Sequence, residues 1–228
     1  MLHARFQLPA FGTGIPSIRN RTRSALLQSS STAGPSNVVK FGDFLRIIRA
    51  TLDSVDVPYM ITGSLASSLH GEPRTTHDVD LVIVITREQL RLILERFKRM
   101  GLYVSAEAAG EALEKKTDFN VIDFSGGWKV DLVIRKDRPF SLIEFDRRRE
   151  VEYDGTQMPI ASAEDVVIAK LEWAKIGGSD RQIEDVAGIL RVQKGTLDIA
   201  YIEEWVSSLE LAEQWQIAQT RAASEPAL

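Results

Sequence analysis

Along residues 39–160 the apolar positions alternate between a helical rhythm and a two-residue rhythm, and from residue 162 onward the helical rhythm alone remains. Phe41, Phe44, Leu45, Ile48, Leu52 and Val55 recur three and four apart, which predicts an amphipathic helix through about residue 54. Residues 58–62 then read as a strand, and residues 64–69 as a short helix. The unbroken β-branched run Leu81–Ile85 reads as a strand covered on both faces. Thr86 opens a helix with a buried stripe of Leu90, Ile93, Leu94 and Phe97 that stops at Gly101. A short edge strand at 103–105 and a helical piece over 106–115 follow. Ser125-Gly126-Gly127 splits the apolar runs of 119–135 into a β-hairpin. The mixed-sign run 135–153 reads as a solvated face, and Tyr153-Asp154-Gly155-Thr156 as a tight turn between two short strands ending near Ile160. Ser162 starts a helix that Gly177-Gly178 ends, and Ser179 caps the next one, with Ile183, Val186, Ile189 and Leu190 as its apolar face. Two more helices are expected at 198–209 and 211–222, with Trp205 and Trp215 as packing anchors. The expected class is α+β: a mixed sheet flanked by helices over residues 39–160, with a C-terminal helical region over 161–228 packed on it.

Polar residues placed against this pattern supply the candidate chemistry. Asp78 and Asp80 are two apart at the mouth of the 79–85 strand, so both side chains leave the same face. Two acids there are costly to desolvate unless a cation sits between them, and a divalent metal is the simplest one. Gly63-Ser64 joins a strand to a helix start, where the chain turns sharply and the first helical N–H groups lack intrahelical partners. Such a helix start attracts phosphate oxygens, and a serine there can cap it or donate to the phosphate. Asp131 is embedded in V-D-L-V-I and would reach the same site from a neighbouring strand, with Asp123 as its rival. Lys170, mid-helix among apolar residues, must snorkel or meet an anion. Arg74, two residues before Thr76, is in reach of either a triphosphate or the acid pair. Arg181 and Asp185, four apart, read as a local ion pair. His70 reads as helix-end packing and His77 as exposed.

The string G-S-L-A-x-x-L-H-G-x-P-R-x-T-x-D-V-D-L over residues 63–81 resembles the signature of the nucleotidyltransferase superfamily with the DNA polymerase β-type fold. It is more similar still to the AbiEii-like branch, which includes toxin components of toxin–antitoxin systems. The resemblance implies a nucleotidyltransferase fold and two metal ions held by Asp78, Asp80 and Asp131. It implies transfer of a nucleoside monophosphate from a nucleoside triphosphate to a hydroxyl, with release of pyrophosphate. Gly63, Ser64, Arg74 and Lys170 would then hold the nucleotide. The stretch K-L-E-W-A-K-I-G-G-S-D-R-Q-I-E-D-V, residues 170–186, is similar to the K-L…R…D stretch of AbiEii-like proteins, in which the lysine is expected to face the phosphates.

Composition narrows the metal and the partners. The chain has no cysteine and three histidines, none paired at ligand spacing, so oxygen-ligated Mg²⁺ or Mn²⁺ is favoured over zinc. Residues 1–38 hold four arginines and no acid, which leaves −8 of a net charge of −4 on the remainder. An acidic core argues against a broad phosphate-tracking surface, so an acceptor such as tRNA would be gripped locally, and a protein acceptor is the other expectation. The basic residues within 135–149 are the local candidates for that grip. An antibiotic-type small molecule acceptor, which would need an acidic pocket for a cationic substrate, is also compatible with that charge. A non-catalytic member of the fold acting with a partner protein from a two-gene module is the remaining alternative. Residues 1–38 are expected to be a disordered tail. No apolar run approaches the roughly 20 residues that span a bilayer, so the location expected is cytoplasmic, with an organelle transit peptide as the lesser alternative.

Overall fold

The computed structural model describes residues 40–76 and 78–224. The tail expected over residues 1–38 and His77 lie outside the described residues. Helix α1 (Phe41–Asp53) puts Phe44, Ile48 and Leu52 fully into the core, as its periodicity predicts. Strand β1 (Tyr59–Thr62) runs directly into helix α2 (Gly63–His70), and β2 (Asp78–Ile83) follows. Helix α3 (Arg87–Arg99) opens with a capping box in which the Thr86 hydroxyl and the Gln89 side chain satisfy each other's backbone N–H. After α4 (Ala106–Lys115), the hairpin of β3 (Asp118–Asp123) and β4 (Trp128–Ile134) turns through Gly127, at φ 70°. Helix α5 (Pro139–Asp146) leads to the hairpin β5 (Arg149–Tyr153) and β6 (Thr156–Ile160). Helices α6 (Ala163–Gly177), α7 (Asp180–Val192), α8 (Ile199–Ser208) and α9 (Ala212–Ala223) complete the described residues.

The six strands form one mixed sheet in the order β3-β4-β2-β1-β6-β5. β2 pairs in parallel with β4 and antiparallel with β1; β1 pairs in parallel with β6. Val79, Leu81 and Ile83 of β2 and Val130, Leu132 and Ile134 of β4 face the core and are almost completely buried. The alternate positions, Asp80 and Val82 on β2 and Asp131 and Val133 on β4, are half-buried. The β2 run was expected to be covered on both faces. One face instead opens onto a cavity, because the helices over it leave the acid-bearing ends uncovered.

Three other expectations change. Residues 139–146, read as part of a solvated run, form α5, with Pro139 in its first turn and Phe140 and Phe145 buried. The eight residues are too few for a clear helical stripe, and the flanking arginines that suggested solvent have tertiary partners. Arg138 binds Glu172, and Arg147 binds Asp165 and lies 4.0 Å over the Tyr201 ring. Tyr103 makes a single bridge to Ile122 instead of a strand. Ser179 precedes α7 but makes no side-chain cap hydrogen bond.

The C-terminal helices contact the sheet layer through α2, which touches both α6 and α7. Gly71 permits this approach: a Cβ there would lie 2.7 Å from the Ile189 backbone nitrogen. Trp215 is buried, and Trp205 packs 5.2 Å from Phe140. Leu132, fully buried on a central strand, should be among the most sensitive core positions. Leu132→Ala is expected to lower unfolding free energy by about 2–5 kcal/mol in urea titrations, with no change in slope.

Candidate active site

The turn from β1 into α2 depends on a residue without a side chain. Gly63 has φ 63°, and a Cβ there would stand 1.9 Å from Asp80 Oδ2. The carboxylate of Asp80 therefore fits tightly against the turn and accepts the backbone N–H of Ser64. The sheet register sets the rest: Thr62 lies opposite Asp80 on β1, and Asp131 lies opposite Asp80 on β4. Two carboxylates thus project from adjacent strands on one face. Burial, and secondly the charge of Asp131, raises the Asp80 pKa above its ordinary value.

Asp131 is held by two donors. Asn120 on β3 donates to Oδ1 at 2.6 Å, and Lys129, two residues back on its own strand, donates to Oδ2 at 2.9 Å. The same Lys129 ammonium is 3.6 Å from Asp78, whose side chain is 56% exposed. Asp78, Asp80 and Asp131 line one cavity, yet among the described residues no three acidic or histidine side chains are already gathered at metal-binding spacing. Lys129 thus places one positive charge beside both Asp78 and Asp131.

A second group backs the turn from β1 into α2. Lys170, almost fully buried in α6, donates to Asp185 Oδ2 at 2.7 Å. Arg74 binds the same carboxylate through Nε at 2.8 Å and a terminal nitrogen at 2.9 Å, and donates to Ser64 Oγ at 2.7 Å. Burial works against ionising Asp185, but the hydrogen bonds from Arg74 and Lys170 outweigh it and hold its pKa below the ordinary value. For Lys170, burial is the largest influence and lowers its pKa, with the Asp185 contact opposing it. The local Arg181–Asp185 pair expected from spacing is not formed. Asp185 turns inward to Lys170 and Arg74, while Arg181 lines the cavity.

One cavity of about 520 Å³ brings together Gly63, Ser64, Asp78, Asp80, Asp131 and Lys170. Arg74 does not line it but sits behind, bonded to the Ser64 hydroxyl. Ser64 does not cap α2 with its side chain, and Thr62 occupies the cap position. Asp123 is elsewhere: it lies on the opposite face of its strand, where its carboxylate takes the Ser125 and Gly126 backbone N–H groups and closes the hairpin. His70 contacts the Ala161 carbonyl at 2.7 Å, in keeping with a packing role, and burial lowers its pKa. Sequence reasoning did not find Lys129 or Glu144. Lys129 could have been found from alternation, since it shares a strand face with Asp131. Glu144 belongs to the helix that the sequence hid.

No family model matches the sequence, and no curated protein does. Solved structures do. The crystal structure of ANT(2")-Ia in complex with adenylyl-2"-tobramycin matches with a TM-score of 0.51 at 17% identity, over 73% of this chain and 95% of that one. The fold is a nucleotidyltransferase fold. An antigenic nucleotidyltransferase-like protein from Paracoccidioides brasiliensis matches at 16% identity and TM-score 0.49, over 81% of this chain and 93% of that one. A putative nucleotidyltransferase from Thermotoga maritima matches at 19% identity and TM-score 0.42, over 66% and 97%.

The raised pKa of Asp80 has a consequence that can be measured without ligand. An acid whose folded pKa lies above its unfolded value loses stability as pH rises through that interval. Asp80→Asn removes the ionisation while keeping an acceptor for Ser64. The metal-free variant is therefore expected to melt above the wild type at pH 7, with the difference shrinking as pH falls below about 4. Scanning calorimetry across that range checks it.

Proposed function

We propose that this protein is a metal-dependent nucleotidyltransferase that moves a nucleoside monophosphate from a nucleoside triphosphate to a hydroxyl acceptor. The observation that carries this reading is the direct pairing of Asp80 with Asp131 across β2 and β4, beside a helix start pinned by Gly63. A half-buried carboxylate set opposite a second one in register, with oxygen donors supplied by the described acids, suits a hard divalent cation. Asp78, Asp80 and Asp131 would hold Mg²⁺ or Mn²⁺. Such ions supply charge neutralisation on the phosphates and a lowered pKa for an attacking hydroxyl.

The chain's own residues account for the remaining tasks. The Gly63–Ser64 turn offers a close backbone approach and an N–H-rich helix start to the outer phosphates. Arg74 holds the Ser64 hydroxyl, so the serine presents a fixed dipole. Lys170, buried at the cavity wall, supplies positive charge beside the site of the leaving pyrophosphate, and Asp185 fixes its position. Asn120 orients the Asp131 carboxylate, the group best situated to take the acceptor's proton.

Two acceptor classes have support. The 63–81 string and the 170–186 stretch favour an AbiEii-like, toxin-type enzyme acting on RNA or protein, with a partner from a two-gene module. The likeness to ANT(2")-Ia, solved with an adenylylated tobramycin, favours a small-molecule hydroxyl. Incubation with each α-³²P nucleoside triphosphate and cellular RNA, protein or aminoglycoside separates them by which fraction gains label.

The double substitution Asp78→Asn with Asp80→Asn is expected to weaken Mg²⁺-dependent triphosphate binding by more than about 100-fold while the protein stays folded. Calorimetry that finds equal affinity in the double variant would contradict the assignment.

A further inference from the structure

The two ends of the cavity are chemically unlike. One end carries the Gly63 turn, the carboxylates and Lys170. The other is floored by Val82 and Val133, which lie in register with each other two residues beyond Asp80 and Asp131 on the same sheet face. Two residues along a strand is about 6.6 Å. Phe140, Val166 and Trp173, the last 60% exposed, line the same cavity. The apolar part of this lining offers a face to a flat ring, with Arg135, Arg138, Ser141 and Glu172 as polar neighbours in the same cavity.

Among the polar groups that line the cavity without a hydrogen bond from a described residue, which include Arg135 Nε and Gln182 Oε1, Glu144 is the acid. Glu144 lines the cavity with only 7% of its surface exposed, and no described residue hydrogen-bonds to it. Its charged neighbours are committed elsewhere. Arg138 gives its donors to Ser141 and to both oxygens of Glu172, while Asp165 is taken up by Arg147, Ser162 and Tyr201. A carboxyl in a cavity wall with no hydrogen bond from a described residue is one that a bound ligand can satisfy.

We propose that Glu144 reads the base of the bound nucleoside triphosphate, by hydrogen bonds to the N–H-bearing edge of a ring lying on Val82 and Val133. The proposal rests on the nucleotidyltransferase reading above. Burial, with Asp165 and Glu172 nearby, pushes the Glu144 pKa up to about 8. At neutral pH the group is therefore mostly the neutral acid, with one O–H donor beside one carbonyl acceptor. That pair complements a base edge on which an N–H and an acceptor atom are adjacent. Glutamine offers the same pair; leucine and methionine offer neither.

The test measures affinities of the four ribonucleoside triphosphates, and of inorganic tripolyphosphate, with Mg²⁺ for the wild type, E144L, E144M and E144Q. The wild type is expected to prefer one base over the least favoured by about tenfold, the effect of one well-made hydrogen bond. E144L and E144M are expected to bind all four triphosphates within about twofold of one another, with tripolyphosphate affinity unchanged, and E144Q to keep the preference. Two variants that remove the donor–acceptor pair guard against one failing to fold. A wild type that binds all four alike, or an E144L or E144M that keeps the preference, overturns the role of Glu144 and leaves the transferase reading standing. A wild type that binds neither tripolyphosphate nor any nucleotide overturns both.

Discussion

The fold brings two carboxylates face to face across a pair of parallel strands, and most of what surrounds them follows from that arrangement. Asp80 and Asp131 are register partners, so their separation is set by backbone pairing and not by loop conformation. Burial, and secondly repulsion from Asp131, raises the protonation tendency of Asp80. The structure meets the repulsion with Ser64 N–H on one side and with Lys129 and Asn120 on the other.

The helical half of the protein serves the same centre from behind. Asp185 on α7 gathers Lys170 of α6 and Arg74 of the 71–76 loop, and Arg74 in turn holds Ser64. A chain of hydrogen bonds therefore ties a helix late in the sequence to the first turn of α2. In a largely buried network each member limits the others, because a lost partner leaves a charge unpaired. The C-terminal helices thus hold the turn from β1 into α2 in place, in addition to burying apolar surface.

The sequence made this centre legible because its parts obey local rules. Asp78 and Asp80 share a face through strand alternation, Gly63 stands where the backbone must turn, and Asp131 sits in an apolar run too strong to be a loop. The register that sets Asp131 opposite Asp80, and not one residue out of phase, is a tertiary fact that no local pattern contains. Asp185 shows the same limit: four residues from Arg181 it reads as half of a surface pair, and only packing of α7 on α6 turns it inward. Helix α5 was hidden because eight residues carry little periodic signal and because its flanking arginines imitate a solvated run. Glu144 was hidden with it.

The proposed function requires Asp80 and Asp131 to hold the metal of a bound triphosphate. A crystal structure with Mn²⁺ and a non-hydrolysable nucleoside triphosphate tests it most directly. Anomalous scattering should locate manganese within about 2.2 Å of Asp80 and Asp131 oxygens, with Lys129 displaced and the outer phosphates at the Ser64 N–H. Manganese found away from both carboxylates, with Lys129 still bonded to Asp131, would contradict it.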